Sequence, residues 1–292
     1  LMRSSAASDV CKRQAVLAVM TAALLILIPS CLLAGSVDIP FTQVVKALAG
    51  QATDNPRWGV IVTEMRLPMA LTAAIAGAAL ALAGLLLQTT FDNPLAGPSI
   101  LGISTGASLG VAIVMLALGG SVTGVSYYAG ILTGAAAGAA VVMLALLGFS
   151  MMVSSTAMLL IIGIMTGYLA SSAISLLNFF ATHEGVHSFV IWGLGSFSTL
   201  TLERLAVFAA VSLILMGLTM LMAKPLNALL LGQRYAENLG VDIPATRNRL
   251  LLLSGSLTAV VTAFCGPIGF IGLIVPHIAR MALRTSNHTV LL

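Results

Sequence analysis

The residues best equipped for chemistry in this 292-residue chain are few and scattered. His183, Glu184 and His187 fall together, and the two histidines stand four apart, which puts them on one face of a helix. A transition-metal site asks for three or four ligands with supporting hydrogen bonds, and Glu184 points elsewhere on such a helix. A solvated external loop is therefore the favoured reading, and no metal site is expected. Cys11, Cys31 and Cys265 lie too far apart for a ligand cluster, suggest no disulfide framework, and in two cases sit in apolar runs where a thiol acts as a small hydrophobe. His277, directly after Pro276, is expected to pack or to hydrogen-bond at a helix end. The chain carries no nucleophile–base pair and no G-x-x-x-x-G-K-[ST] phosphate loop. No catalytic residue is expected, and an enzyme is the class least favoured.

What must position any working residue is a set of apolar helices. Hydrophobic residues make up 59% of the chain and charged ones only 8%, against about 25% charged in a soluble domain. Mean hydropathy is +1.08. Such a chain cannot cover a surface facing water, so lipid is its solvent. The net charge of +4 comes from basic residues at the ends of apolar runs, not from a basic face interleaved with aromatics, which excludes nucleic acid as a partner. Apolar runs between charges give eight candidate spans, at about 14–34, 67–88, 99–119, 125–148, 155–180, 205–223, 249–265 and 267–283, within a single domain over 1–292. The first run follows Lys12 and Arg13, and its Ile28-Pro29-Ser30-Cys31 hints at a lipoprotein cleavage site. It is longer than the roughly 7–15 apolar residues of a signal peptide, so a first transmembrane helix is preferred.

With the N-terminus inside, nine Lys/Arg residues fall on the cytoplasmic side and four (Lys46, Arg57, Arg66, Arg204) outside, as the positive-inside rule requires. Trp192 fits an interfacial aromatic belt. No span carries an ionisable residue in its central part. Ion-coupled carriers usually bury such groups, so the pattern favours energy entering from outside the bilayer. Runs such as Ala73–Ala83 and Gly134–Ala140, and the pair Gly77 and Gly84 seven apart, predict close helix packing through small residues. Arg66-Leu-Pro with its helix, and Arg249-Leu-Leu with its own, form a weak inverted echo of the kind transporters use.

Three stretches carry a family resemblance. Arg66–Gly106 (RLPMALTAAIAGAALALAGLLLQTTFDNPLAGPSILGISTG), Leu231–Arg247 (LGQRYAENLGVDIPATR) and Gly266–Arg280 (GPIGFIGLIVPHIAR) resemble, in content and spacing, the permease family of iron-siderophore, heme and vitamin B12 ABC importers. The resemblance covers nearly the whole chain. It implies an all-α polytopic bundle of the type II importer fold and a permease moving an iron chelate or cobalamin across the bacterial inner membrane. It also implies a homodimer with the path at its axis, two cytoplasmic ATPase subunits, and a periplasmic or lipid-anchored binding protein. This chain would bind no cofactor itself, ATP and Mg belonging to the partner ATPase. Family protomers usually have ten helices; Asn287–Leu292 look like the opening of a ninth, so about two are expected to be missing.

Residue by residue, the resemblance makes the cytoplasmic loop 224–248 the segment coupled to the ATPase, with Leu229, Gly232, Ala236, Leu239, Gly240, Val241 and Arg247 as its working positions. Helical spacing of Leu226, Leu229 and Leu230, termination at Gly240, and a second short helix capped by Asp242 with Pro244 in its first turn would make a rigid knob; the alternative is an ordinary loop. Arg66 is expected to dock the binding protein, with Met69 standing where many members have a second arginine; the alternative is snorkelling to headgroups. Thr166 and Ser171 on helix five are expected to line the path. Ser155, Thr156 and Ala157 would form one cytoplasmic gate and Asn93, Pro94 and Leu95 another; the alternative for the hydroxyls is helix–helix hydrogen bonding. Two rival functions stand beside the permease: an ion-coupled carrier or channel built on the inverted echo, and a non-transporting membrane remnant.

Overall fold

The computed structural model describes residues 2–117, 125–153 and 155–292, and these form helices joined by short connections. The tail of the expected 99–119 span falls outside the described residues.

In chain order, α1 (Met2–Leu33) is followed by the short amphipathic α2 (Phe41–Leu48), which hydrophobic patterning of the spans did not anticipate. Next, α3 (Pro56–Val60), a π turn (Ile61–Arg66) and α4 (Leu67–Thr90) run as one helix of 35 residues, eleven residues longer at its start than the expected 67–88. Asn55 caps this helix by accepting from Arg57 N at 3.0 Å, and Pro56 opens it where its missing N–H is harmless. The π turn sits just before Pro68, whose ring crowds the carbonyl of Glu64 and cannot donate to it, so the ladder widens there.

The chain continues as α5 (Ile103–Ala112), extended by a π turn, then α6 (Val125–Met152), α7 (Thr156–Phe180), α8 (His183–Gly193) and α9 (Leu202–Met220). Two short helices, α10 (Ala223–Leu229) and α11 (Gln233–Asn238), precede α12 (Ile243–Cys265), α13 (Ile271–Leu283) and the one-turn α14 (His288–Leu291). Among the described residues six helices are long and apolar enough to cross a membrane; the expected spans at 99–119 and 267–283 are instead shorter apolar helices.

The bundle centres on α4 and α12, which pack against each other; α9 touches both, α13 lies on α4, and α5 and α6 lie on α12. Thus the two helices of the inverted echo are neighbours at the heart of the fold. Lipid offers no hydrophobic drive for helices to associate, so closeness of backbones must supply it. A Cβ on Gly84 of α4 would sit 1.6 Å from the carbonyl oxygen of Gly272 in α13. On the α5–α6 seam a Cβ at Gly110 would lie 1.9 Å from Gly134 O, and one at Gly138 would lie 2.1 Å from Gly106 O. Gly77, paired with Gly84 by spacing, meets nothing within 4 Å, so only Gly84 packs as expected.

Gly84→Ala and Gly138→Ala therefore force helices apart, and each is expected to lower stability by about 1–3 kcal/mol, as overpacking does. Gly77→Ala is expected to be neutral or slightly stabilising. Thermal unfolding of the three variants in detergent micelles checks the contrast.

Candidate functional site

Between α9 and α12 the chain builds a compact protrusion. Leu226 of α10 is fully buried against Leu86 of α4 and Leu250 of α12, rooting the segment on the two central helices. Gly232, at φ +98°, breaks the helix that spacing alone would carry on to Gly240. After α11, Gly240 takes φ +84°, Gly240 N donates to Glu237 O at 2.9 Å and Val241 N to Ala236 O at 3.0 Å, completing a Schellman stop. Asp242 then accepts from Ala245 N at 2.9 Å and caps α12 itself, not a second short helix outside the membrane. Helix α12 starts six residues before the expected 249, because Asp242 and Pro244 form a start signal for a long helix as readily as for a short one.

The expected coupling residues divide by environment. Ala236 is the only buried residue of α11, Leu229 and Val241 are half-buried, and Gly232, Leu239 and Gly240 are exposed. Leu239 and Tyr235 are 59% and 57% exposed, so both display apolar surface on the protrusion. Arg247 turns away from it: its Nη2 donates to the carbonyls of Ser150 and, at 3.1 Å, Val153 at the end of α6. Beside it Ser150 Oγ donates to Asn248 Oδ1 at 2.6 Å.

The two expected gate segments lie next to this root. Asn93 Oδ1 accepts from Leu95 N at 2.9 Å, which holds the turn after α4 and leaves Leu95 exposed at its tip. Ser155 caps α7, accepting from Met158 N at 3.3 Å, with Thr156 half-buried and Ala157 exposed. Phe91, Ala96 and Leu159 belong to one buried cluster, so both segments share an apolar floor. On α7, Thr166 donates to Ile162 O at 2.8 Å, Ser172 to Tyr168 O and Ser175 to Ser171 O. These hydroxyls bond to their own helix and not across to another. A recess of about 300 Å³ is lined by Ser99, Thr105, Gly167, Tyr168 and Ser171.

Arg66, the expected docking residue, is held within the protein. It is 6% exposed, and its guanidinium donates to the carbonyls of Leu32 (2.8 Å), Leu33 (2.9 Å) and Val37. Docking and snorkelling both require an exposed head, whereas here the arginine ties the end of α1 to α4. The segment with His183, Glu184 and His187 is helix α8, capped by Thr182, and not a loop. Among the described residues no group of three His, Cys, Asp or Glu could hold a metal. His277 is exposed, not packed.

One polar cluster escaped the sequence reading. Gln88 of α4 donates to Leu273 O (3.0 Å) and accepts from Arg280 (2.6 Å), both on α13. One residue on, Thr89 Oγ1 lies 2.8 Å from Nε2 of His288, which is 1% exposed. Asn227 Oδ1 accepts from His288 N at 2.7 Å and faces its Nδ1 at 3.1 Å. Burial, with the nearby Arg280 charge second, pushes the His288 pKa down to about 4, so the ring is neutral at pH 7. With Asn227 Oδ1 accepting, the ring proton sits on Nδ1 and Nε2 is an acceptor facing the Thr89 hydroxyl, whose single proton it shares with Leu85 O at 3.0 Å. The contact between His288 and Thr89 spans 199 residues of sequence, beyond any local pattern.

A helical bundle with six membrane-length apolar helices among the described residues, and a capped protrusion that displays Tyr235 and Leu239, fits a membrane permease. This chain belongs to the FecCD transport family, whose model matches residues 23–292. It is 35% identical to the molybdate import system permease protein MolB of Haemophilus influenzae, covering 88% of this chain and 75% of that one. It is 32% identical to the hemin transport system permease protein HmuU of Yersinia pestis (84% and 73%) and 35% identical to the vitamin B12 import system permease protein BtuC of Salmonella typhi (82% and 71%). Its fold is similar, with a TM-score of 0.79 and 33% identity over 93% of this chain and 82% of the other, to a solved ABC transporter assigned to the metal-chelate type in an inward-facing conformation.

Two outcomes follow. Arg66→Ala leaves buried carbonyls without donors and is expected to lower stability by about 1–3 kcal/mol, with Arg66→Lys recovering only part, as read by thermal unfolding. For His288, a folded pKa below the ordinary value means its contribution is complete above about pH 6.5 and is lost as pH falls toward 4, at up to about 1.4 kcal/mol per unit. The unfolding midpoint of the parent chain is expected to fall between pH 6.5 and 5 by more than that of His288→Gln.

Proposed function

We propose that this chain is the membrane-spanning subunit of a binding-protein-dependent importer in the bacterial inner membrane, with its N-terminus in the cytoplasm. Two copies would enclose the path, two cytoplasmic ATPase subunits would supply the energy from ATP and Mg, and a periplasmic or lipid-anchored protein would deliver cargo. The observation that carries this reading is the protrusion: Tyr235 and Leu239 stand exposed on a segment whose backbone is stopped, capped and rooted at both ends. Apolar side chains displayed on a rigid mount suit a protein groove better than water. The Asn93–Leu95 turn and the Ser155–Ala157 start of α7 are the gate elements of this scheme, and Thr166 and Ser171 mark its path.

The cargo we assign is a metal chelate: a ferric siderophore, heme or cobalamin. The hydroxyls of Thr166, Ser172 and Ser175 on α7 are satisfied by their own helix, and the described residues offer no ligand cluster to strip or hold a bare ion. Such a surface suits a large complex whose metal already has its ligands. Relatives named for hemin and vitamin B12 support the same class.

The test is reconstitution in proteoliposomes with the partner ATPase and binding protein. ATP-driven uptake of a ferric siderophore, heme or cobalamin, and not of molybdate, is expected. Tyr235→Ala with Leu239→Ala is expected to weaken ATPase association by at least about tenfold, as loss of an interface anchor does, with the unfolding midpoint unchanged. Retained association in that double variant would overturn the assignment of the protrusion.

A further inference from the structure

The protrusion has two roots, and each is fastened by polar side chains to the residues just before one gate segment. At the first, Asn227 of α10 grips the α14 turn: its Oδ1 accepts from His288 N, and its Nδ2 donates to Asn287 Oδ1 (2.9 Å) and Thr289 Oγ1 (3.2 Å). His288 passes the contact to Thr89, in the last turn of α4 and four residues before Asn93. At the second, Arg247 and Asn248 in the opening turns of α12 hold Ser150 and Val153, and Val153 stands two residues before Ser155. Ser150 is almost fully buried, and the Arg247 charge meets carbonyls at the negative end of α6. Between the roots, α11 buries only Ala236 and packs mainly on α10 and α12.

We propose that these are two separate transmission joints, Asn227–His288–Thr89 serving the Asn93–Leu95 turn and Arg247/Asn248–Ser150 serving the Ser155–Ala157 start of α7. This rests on the reading of the protrusion as the ATPase contact. The residues are positioning residues, touching neither nucleotide nor cargo. Hydrogen bonds suit the task because they are directional, so a tilt of α10 or α12 turns the partner as well as shifting it. Apolar contact at Leu226 alone would let the segment slide.

The experiment uses the reconstituted complex with Cys11, Cys31 and Cys265 replaced by alanine and a single reporter, Leu95→Cys or Ala157→Cys. Maleimide labelling is measured with and without ATP, alongside ATP hydrolysed per cargo moved and the unfolding midpoint. With the parent joints intact, ATP is expected to change labelling at both reporters. Asn227→Leu is expected to abolish the change at Leu95→Cys and spare that at Ala157→Cys; Asn248→Leu is expected to do the reverse. Either is expected to raise ATP per cargo about tenfold, the factor equivalent to one strong hydrogen bond. His288→Gln, which keeps a polar atom near Thr89, is expected to recover most of the coupling that His288→Leu loses, whatever its effect on folding. If both reporters fail together in either variant, or only the midpoint moves, the joints are structural and the proposal is overturned. If the parent complex itself shows no ATP-dependent labelling although the ATPase is bound, the gate assignment falls, and the joints with it. If the ATPase does not bind at all, it is the functional reading that falls first.

Discussion

In hydrocarbon a helix gains nothing by hiding its leucines behind another helix, since lipid already solvates them; what holds a bundle is how near two backbones can come. Here that distance is set where glycine faces a carbonyl, at Gly84 against Gly272 and along the Gly106–Gly110 and Gly134–Gly138 seam. The rest of the molecule depends on those approaches. With α13 drawn onto α4, Leu273 O and Arg280 come within reach of Gln88, and the chain beyond α13 returns to the last turn of α4. Without that closeness His288 would have no Thr89 to meet.

The same solvent dictates where polarity is spent. Many serines and threonines inside the long helices turn back on their own ladders, as Thr90, Ser108 and Thr258 do, while Thr262 of α12 reaches across to Ser104 of α5 at 3.3 Å. Other polar side chains that reach across helices gather at the ends: Arg66 at one, Asn227, His288, Arg247 and Asn248 at the other. Apart from the buried Thr262–Ser104 pair, the bundle is thus bound inside mainly by shape and at its ends by hydrogen bonds. A machine that must open at its ends and stay sealed in its middle is served by that division.

The sequence displayed the long spans clearly, because runs of apolar residues bounded by charge have one reading in lipid. Punctuation was readable too: Asp242, Pro244 and Gly240 each do what their chemistry suggests. What it did not display is which of two elements a signal serves. Asp242 announced a helix but not its length, and Gly232 looked no different from the glycines that pack. Arg66 was expected at a helix start but lies inside the Pro56–Thr90 helix, and its burial depends on the α1–α2 turn folding over it. The α2 helix was hidden by its brevity, and the contacts of Asn227, Thr89 and His288 by separations of 61 and 199 residues. Position along the chain is legible locally; partnership across it is not.

Helix α1 is the most apolar of the long helices and the least covered by the rest of the protein. Its firm hold on the bundle is a guanidinium contributed some thirty residues later. During synthesis that tether cannot form until the later residue has been made. The greasiness of α1 is what lets it wait in the bilayer. Only when the head of α4 emerges does Arg66 arrive to moor it, so the anchoring of α1 waits on the helix that follows.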